Sequence, residues 1–302
     1  MSRWWIYQRE RFPVISHSAL IAAFSLSAVC YSRLRRGAEG FPDLHTAIVA
    51  FVCSFLLFLQ LRIADEFKDA AEDAQFRPYR PVPRGLVSLK ELGWIACGAG
   101  AIQLALAVSL SPSLSLLLFL CWAYMGLMTR EFFVPAWLKA HPFHYLWTHM
   151  IILPVMDLYV TACDWQPTGR IPRGLGWLLL VSFLNGVVIE IGRKLRAPAD
   201  EEAGVDTYSR LWGMRGASAA WFGAMVLTGA CAWQAARIVH FGGALLGLVS
   251  LLLASAAIVL IRFLGNPEGG AGKRVETMSG IWSILLYLSI GLAPLGWENL
   301  RR

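Results

Sequence analysis

Nine apolar runs divide this 302-residue chain, each about as long as a helix that crosses a bilayer. They fall at roughly 14–32, 45–63, 92–110, 113–129, 144–163, 174–191, 217–235, 242–264 and 277–296, and only the turn Ser111-Pro112-Ser113 separates the third from the fourth. A hydrocarbon layer needs about 20 apolar helical residues to span it, and little of this chain is left to make a wetted surface. With 57% hydrophobic and 16% charged residues and a mean hydropathy of +0.53, the chain reads as an all-α integral membrane protein. The expected architecture is a single polytopic domain over 1–302, made of two four-helix units (segments one to four and five to eight) with the ninth segment added.

Charge sets the expected orientation. With the N-terminus inside, the inner segments hold 19 of the 27 Lys and Arg, and only Arg33, Arg35, Arg36, Arg170, Arg173, Arg237, Arg301 and Arg302 face outward. That bias predicts a cytoplasmic N-terminus and a place in a bacterial inner membrane. The first apolar run lacks a polar leader and a small-residue cleavage site, so it reads as a retained helix. Net charge is +7 and the isoelectric point near 9.3, but the basic residues sit in short inner loops, where topology and membrane lipids account for them without nucleic acid. The six cysteines form no C-x-x-C pair and read as packing residues. No dinucleotide fingerprint, P-loop or nucleophile elbow occurs, and Gly265 to Gly272 reads as a flexible linker.

Two inner loops, about 62–90 and 190–216, carry half of the twenty acidic residues. In the first, Asp65, Glu66, Asp69, Glu72 and Asp73 crowd into nine positions. At about 100° per residue, Asp65, Glu66, Asp69 and Asp73 fall on one helical face of roughly a quarter turn. Like charges at i,i+4 repel, and divalent cations holding a phosphate would relieve them, whereas a solvated acidic helix end is the plainer reading. The segment R-P-Y-R-P-V-P-R-G that follows breaks the helix at its prolines and holds arginines on a stiff turn suited to phosphate oxygens. A basic membrane-surface patch needs no such geometry. The second loop holds Glu190, Asp200, Glu201, Glu202 and Asp206.

The first loop resembles the opening signature of the UbiA superfamily of intramembrane prenyltransferases, N-D-x-x-D-x-x-x-D followed by R-P-x-R-P-x-P-x-G. Asp69, Asp73, Arg77, Pro78, Arg80, Pro81, Pro83 and Gly85 match it, with Asp65 in place of the usual Asn and Glu66 in place of the usual Asp. Asp200, Gly204 and Thr207 are similar to the D-x-x-x-G-x-x-T close of the second signature, and Tyr124 with Arg130 to the family's Y-x-x-x-K-R, where Met128 takes the lysine place. The resemblance implies transfer of an isoprenyl or polyprenyl group from its diphosphate to an aromatic or other lipophilic acceptor, with Mg2+ as cofactor. It implies metal ligands at Asp65, Glu66, Asp69, Asp73, Glu190 and Asp200, with Asp69, Asp73 and Asp200 catalytic. Arg77, Arg80, Arg130, Lys194 and Tyr124 are the implied substrate contacts, and Asn185 in the sixth run is a further candidate to orient substrate, although an interhelical hydrogen bond is the commoner use of such a residue.

Asp157 is ionisable within the fifth run, where a structural and an acceptor-binding role weigh equally. His141 and His144 lack the partners of a metal site and read as an interfacial loop. Two other functions stay open: transfer from another phosphorylated donor, such as phosphoribosyl diphosphate to polyprenyl phosphate, and divalent cation transport, which calls for carboxylates nearer the midplane.

Overall fold

A computed structural model describes residues 2–301, which form α-helices joined by turns and short 3-10 segments, with no strand among the described residues. A nine-residue helix, α1 (Arg3–Arg11), opens the chain, capped by Ser2, whose hydroxyl accepts the Trp5 N–H. Then follow α2 (Val14–Arg36), ended by left-handed Gly37, and α3 (Leu44–Lys68), which starts at Asp43. Hydrogen bonds from the Thr46 backbone and hydroxyl hold the Asp43 carboxyl below its ordinary range. The short α4 (Ala70–Phe76) continues from α3 across Asp69. Next come α5 (Leu89–Leu110), started by a Ser88–Glu91 capping box, and α6 (Leu114–Thr129). Helices α7 (Pro135–Ala140), α8 (Pro142–Met150) and α9 (Ile152–Trp165) lead to α10 (Leu175–Arg193). The remainder is α11 (Tyr208–Arg237), α12 (Gly242–Gly265), α13 (Ala271–Ile290) and α14 (Leu292–Arg301).

Every apolar run falls on helix, but length and apolarity together single out seven helical stretches long enough to cross a membrane: α2, α3, α5, Pro142–Thr168, α10, α12 and Ala271–Arg301. The fourth run is α6, apolar but 16 residues long, and the seventh lies in α11. Arg210 and Arg215 make the start of α11 polar, and Gly213 (φ 72°, ψ 156°) kinks it before its apolar part begins.

Sequential helices pack on one another, and α13 packs back on α2 to close the bundle. Helix α9 also contacts α2, α3 and α6, so the two expected four-helix units interlock. Because lipid tails are as apolar as leucine, close packing and small residues hold such helices together. At Gly192, α10 lies so near α11 and α13 that a Cβ would strike the Ser279 hydroxyl of α13 and sit 2.9 Å from the Trp221 indole nitrogen of α11, which donates to Ser279 at 2.9 Å. By contrast α12 exposes Leu246, Leu251, Ile258 and Ile261, as a lipid-facing surface does. At the end of the bundle opposite the acidic loops, Arg36 grips Asp164 with two hydrogen bonds (2.7 and 2.9 Å), fastening α2 to α9.

Candidate active site

Both acidic loops lie at one end of the bundle and touch. Tyr79 donates to Glu202 at 2.8 Å, and Gly204 lies under the Phe76 ring, where a Cβ would come within 2.5–2.7 Å of ring atoms. Gly204 also has φ of +72°, so its place in the signature is fixed by backbone and by packing. Helix α1 docks on the same end: Tyr7 is buried with Ile63, Val87 and Leu92, and Glu10 pairs with Arg84 at 3.0 Å.

The helical face expected for the first loop divides. Asp65 and Asp69 remain on one side, with side chains 39% and 30% exposed. Lys68 lies between them at 4.0 and 3.9 Å, longer than hydrogen bonds, and Arg62 is 3.5 Å from Asp65. Burial pushes the Asp69 carboxyl above its ordinary range and the Asp65 and Asp73 carboxylates add to this, while Lys68 opposes it. Glu66, one residue after Asp65, points to α1, where it is buried in a short ion pair with Arg11. Asp73 is buried as well. Arg80 donates to both of its oxygens (2.7 and 2.9 Å) and Arg77 lies 2.9 Å away, so these two arginines brace the loop.

The second loop divides too. Glu190 is held by Arg193 (2.6 Å) of its own helix and by Lys194 (3.0 Å), which caps that helix. Asp200 accepts the Gly270 N–H at 2.7 Å, at the start of α13. Thr207 caps α11 and donates to Glu201. The Tyr124 hydroxyl donates to the Thr148 carbonyl at 2.7 Å, Arg130 is exposed at the end of α6, and Asn185 is fully buried with neither amide atom hydrogen bonded among the described residues. Asp157, equally buried, forms a short hydrogen bond with Ser182, which also accepts from Tyr287 at 3.1 Å. That places Asp157 in a helix-joining network away from both loops.

Three residues beyond the sequence-derived set complete the centre. Lys68 donates to the Tyr145 hydroxyl at 2.8 Å, the Tyr145 ring stacks on His149 at 3.9 Å, and Lys194 lies over the Tyr145 and Tyr208 rings at 5.9 and 5.6 Å. Lys68 stands inside the first signature, and Tyr145 and His149 share a helix face at i,i+4, a spacing the sequence does display. After Arg130, three consecutive residues, Glu131, Phe132 and Phe133, have φ of 47–61°, a left-handed run costing about 1–2 kcal/mol per residue. It sets the Phe132 ring edge-on to Tyr124 (5.7 Å) and His149 (5.9 Å).

A pocket opens here, lined by Leu61, Ala64, Asp65, Lys68, Met125, Met128, Thr129 and His149. Asp65 and Lys68 give it charge, Thr129 and His149 are polar, and Leu61, Ala64, Met125 and Met128 are apolar. No three His, Cys, Asp or Glu side chains converge on one point among the described residues, so a self-sufficient metal cage is not formed. The two loosely paired carboxylates of Asp65 and Asp69 suit instead an ion that takes a few oxygens from protein and the others from phosphate and water, which is the habit of Mg2+.

The sequence pattern of the UbiA prenyltransferase family matches residues 18–293. The digeranylgeranylglyceryl phosphate synthase of Methanopyrus kandleri is 25% identical over 261 residues, covering 80% of this chain and 86% of that one. The fold is similar to that of a UbiA homolog from Aeropyrum pernix K1 in its apo form, with TM-score 0.70 and 17% identity over 91% of this chain and 97% of that one. It is also similar to a UbiA homolog from Archaeoglobus fulgidus bound to DMAPP and Mg2+, with TM-score 0.55 and 14% identity over 92% and 98% of the two chains. A family pattern that runs through nearly the whole bundle, with both acidic loops inside it, establishes that this chain belongs to the UbiA prenyltransferase family.

Proposed function

We propose that this protein transfers an isoprenyl or polyprenyl group from its diphosphate to an aromatic or other lipophilic acceptor within the membrane. The observation that carries this reading is the pocket, charged at Asp65 and Lys68 and apolar along Leu61, Met125 and Met128. A donor with a diphosphate head and a hydrocarbon tail has that same polarity. The relative with bound DMAPP and Mg2+ and the relative named as a digeranylgeranylglyceryl phosphate synthase support the donor class.

Asp65 and Asp69 would hold Mg2+, with Glu190 as the candidate from the second loop, whereas Glu66, Asp73 and Asp200 keep their protein partners and brace the site. Bound there, the metal would supply positive charge to the diphosphate oxygens when the allylic C–O bond breaks. Lys68 and Lys194 meet the same oxygens from the protein side, steadied over the Tyr145 and Tyr208 rings. Arg77 and Arg80 act through Asp73, whose position they fix. The methionine and leucine walls keep water from the carbocation, so that the acceptor captures it.

The whole chain, 1–302, serves as one polytopic unit of a bacterial inner membrane. Its acidic end and N-terminus are cytoplasmic, consistent with α1 docking beside the first loop and with the charge bias.

The test is diphosphate release from a panel of allylic diphosphates in nanodiscs, with and without Mg2+, alongside Asp69→Ala. Release that requires both Mg2+ and Asp69 is the expected result. If the wild type releases nothing while consuming phosphoribosyl diphosphate under the same conditions, the prenyl reading is wrong.

A further inference from the structure

We propose that His149 is the base that takes the acceptor's proton during transfer, an inference that rests on the prenyl-transfer reading above. His149 lies in the last turn of α8, two residues before Ile151, which joins α8 to α9, and it is buried in the pocket wall. Its Nδ1 lies 2.8 Å from the Tyr145 carbonyl, a group that only accepts, so this nitrogen carries the ring hydrogen. The lone pair therefore resides on Nε2. That atom is buried and makes no hydrogen bond with any described residue.

The ring cannot turn away from this task. Tyr145 stacks on one face with planes 14° apart, and Phe132 meets it edge-on at 81°. The other polar groups of the pocket are engaged or carry the wrong charge. Thr129 donates to the Met125 carbonyl at 2.8 Å, the Lys68 ammonium has no lone pair, and Asp65 faces Arg62 and Lys68. Among the described residues lining the pocket, only the imidazole offers a neutral nitrogen base with an unengaged lone pair, beside the apolar wall where the prenyl carbon would meet its acceptor.

The step balances without another reagent. The C1–O bond of the donor breaks and its electron pair leaves with diphosphate. C1 then takes a pair from the acceptor's oxygen or ring carbon, and the proton of that O–H or C–H passes to Nε2. The imidazolium, still donating through Nδ1 to the Tyr145 carbonyl, passes the proton on to the departing diphosphate.

The test uses the full chain in nanodiscs with Mg2+, labelled geranyl diphosphate as donor, and 4-hydroxybenzoate or a membrane lipid extract as acceptor. His149→Asn keeps a donor where Nδ1 was, and His149→Gln is the second variant. Binding of geranyl S-thiolodiphosphate, read by calorimetry, reports the folded donor site independently of turnover. Expected are donor binding within about threefold of wild type, prenylated product down about 100-fold or more, and partial recovery with added imidazole. Product formation within about threefold of wild type in both variants overturns the proposal. So does joint loss of donor binding and product in both, since that is the mark of a packing residue. A wild type that releases no diphosphate with Mg2+ defeats the prenyl reading itself, a result distinct from either.

Discussion

The two acidic loops carry equal numbers of carboxylates and use them differently. In the first, arginines brace Glu66 and Asp73, and this leaves Asp65 in the pocket wall and Asp69 beyond Lys68, with only Lys68 and Arg62 loosely beside them. In the second, Glu190 pairs with Lys194, which lies over the Tyr145 ring, while Asp200 ties to Gly270, Glu201 to Thr207 and Glu202 to Tyr79, and Asp206 is exposed. On the proposed reading, the first loop would build the metal site and the second would mostly fasten it to α11 and α13. A run of acids is therefore a poor guide to which of them meet a metal. What decides it is which carboxylates lack a better partner within the fold.

The contrast breaks first at Asp69. Replacing it with Ala is expected to lower Mg2+-dependent diphosphate release by about 100- to 1,000-fold, the scale of losing a principal group that stabilises developing charge. Asp200→Ala is expected to act mainly on the fold, costing about 0.5–1.5 kcal/mol because the hydrogen bond lost is exposed to water, with Mg2+ affinity moving less than in Asp69→Ala. Thermal unfolding and Mg2+ titration of the same two samples separate these effects. Equal losses of Mg2+ affinity would show that both loops hold the metal and would erase the distinction.

Protons sharpen the comparison further. Because the folded Asp69 carboxyl is raised by burial, its contribution to stability is present below the ordinary carboxylate range and is lost as pH rises through the raised value. Metal favours the ionised form and reverses that loss. Unfolding temperature without Mg2+ should thus fall as pH rises through this window in wild type, and Asp69→Asn should flatten the change. A Mg2+ titration should show affinity weakening with acid sooner than an ordinary carboxylate would allow.

The helices were legible because membrane crossing demands long apolar runs. Segments 45–63 and 242–264 lie within Leu44–Lys68 and Gly242–Gly265. The seventh run stopped short of the helix start at Tyr208, since Arg210 and Arg215 hide a helical turn that tertiary contacts hold beyond the Gly213 kink. In the first signature, i,i+4 spacing kept Asp65 and Asp69 together. Glu66 left that face because Arg11 of α1 draws it away, a contact 55 residues distant that no local pattern encodes. Asp200 and Gly270, 70 residues apart, are hidden for the same reason. Lys68 and His149 were within reach, one inside the signature and the other four residues after Tyr145. Their roles appear only when α3 and α8 meet around one pocket.

The smallest expected effect tests whether the loops act as one body. Tyr79 is a surface residue whose hydroxyl bonds Glu202, and partial burial followed by that carboxylate pushes its pKa above the ordinary value. Tyr79→Phe keeps the ring and removes one exposed hydrogen bond, worth about 0.5–1.5 kcal/mol and less where water replaces it. If Phe76 on Gly204 carries the junction, Tyr79→Phe should leave release within about twofold. Gly204→Ala, which strains a left-handed backbone and strikes the Phe76 ring, should cost more stability than Tyr79→Phe. The double variant decides the matter. Additive losses in unfolding free energy would mean two separate fastenings, whereas a combined loss no larger than that of Gly204→Ala alone would mean that the packing contact positions the hydrogen bond.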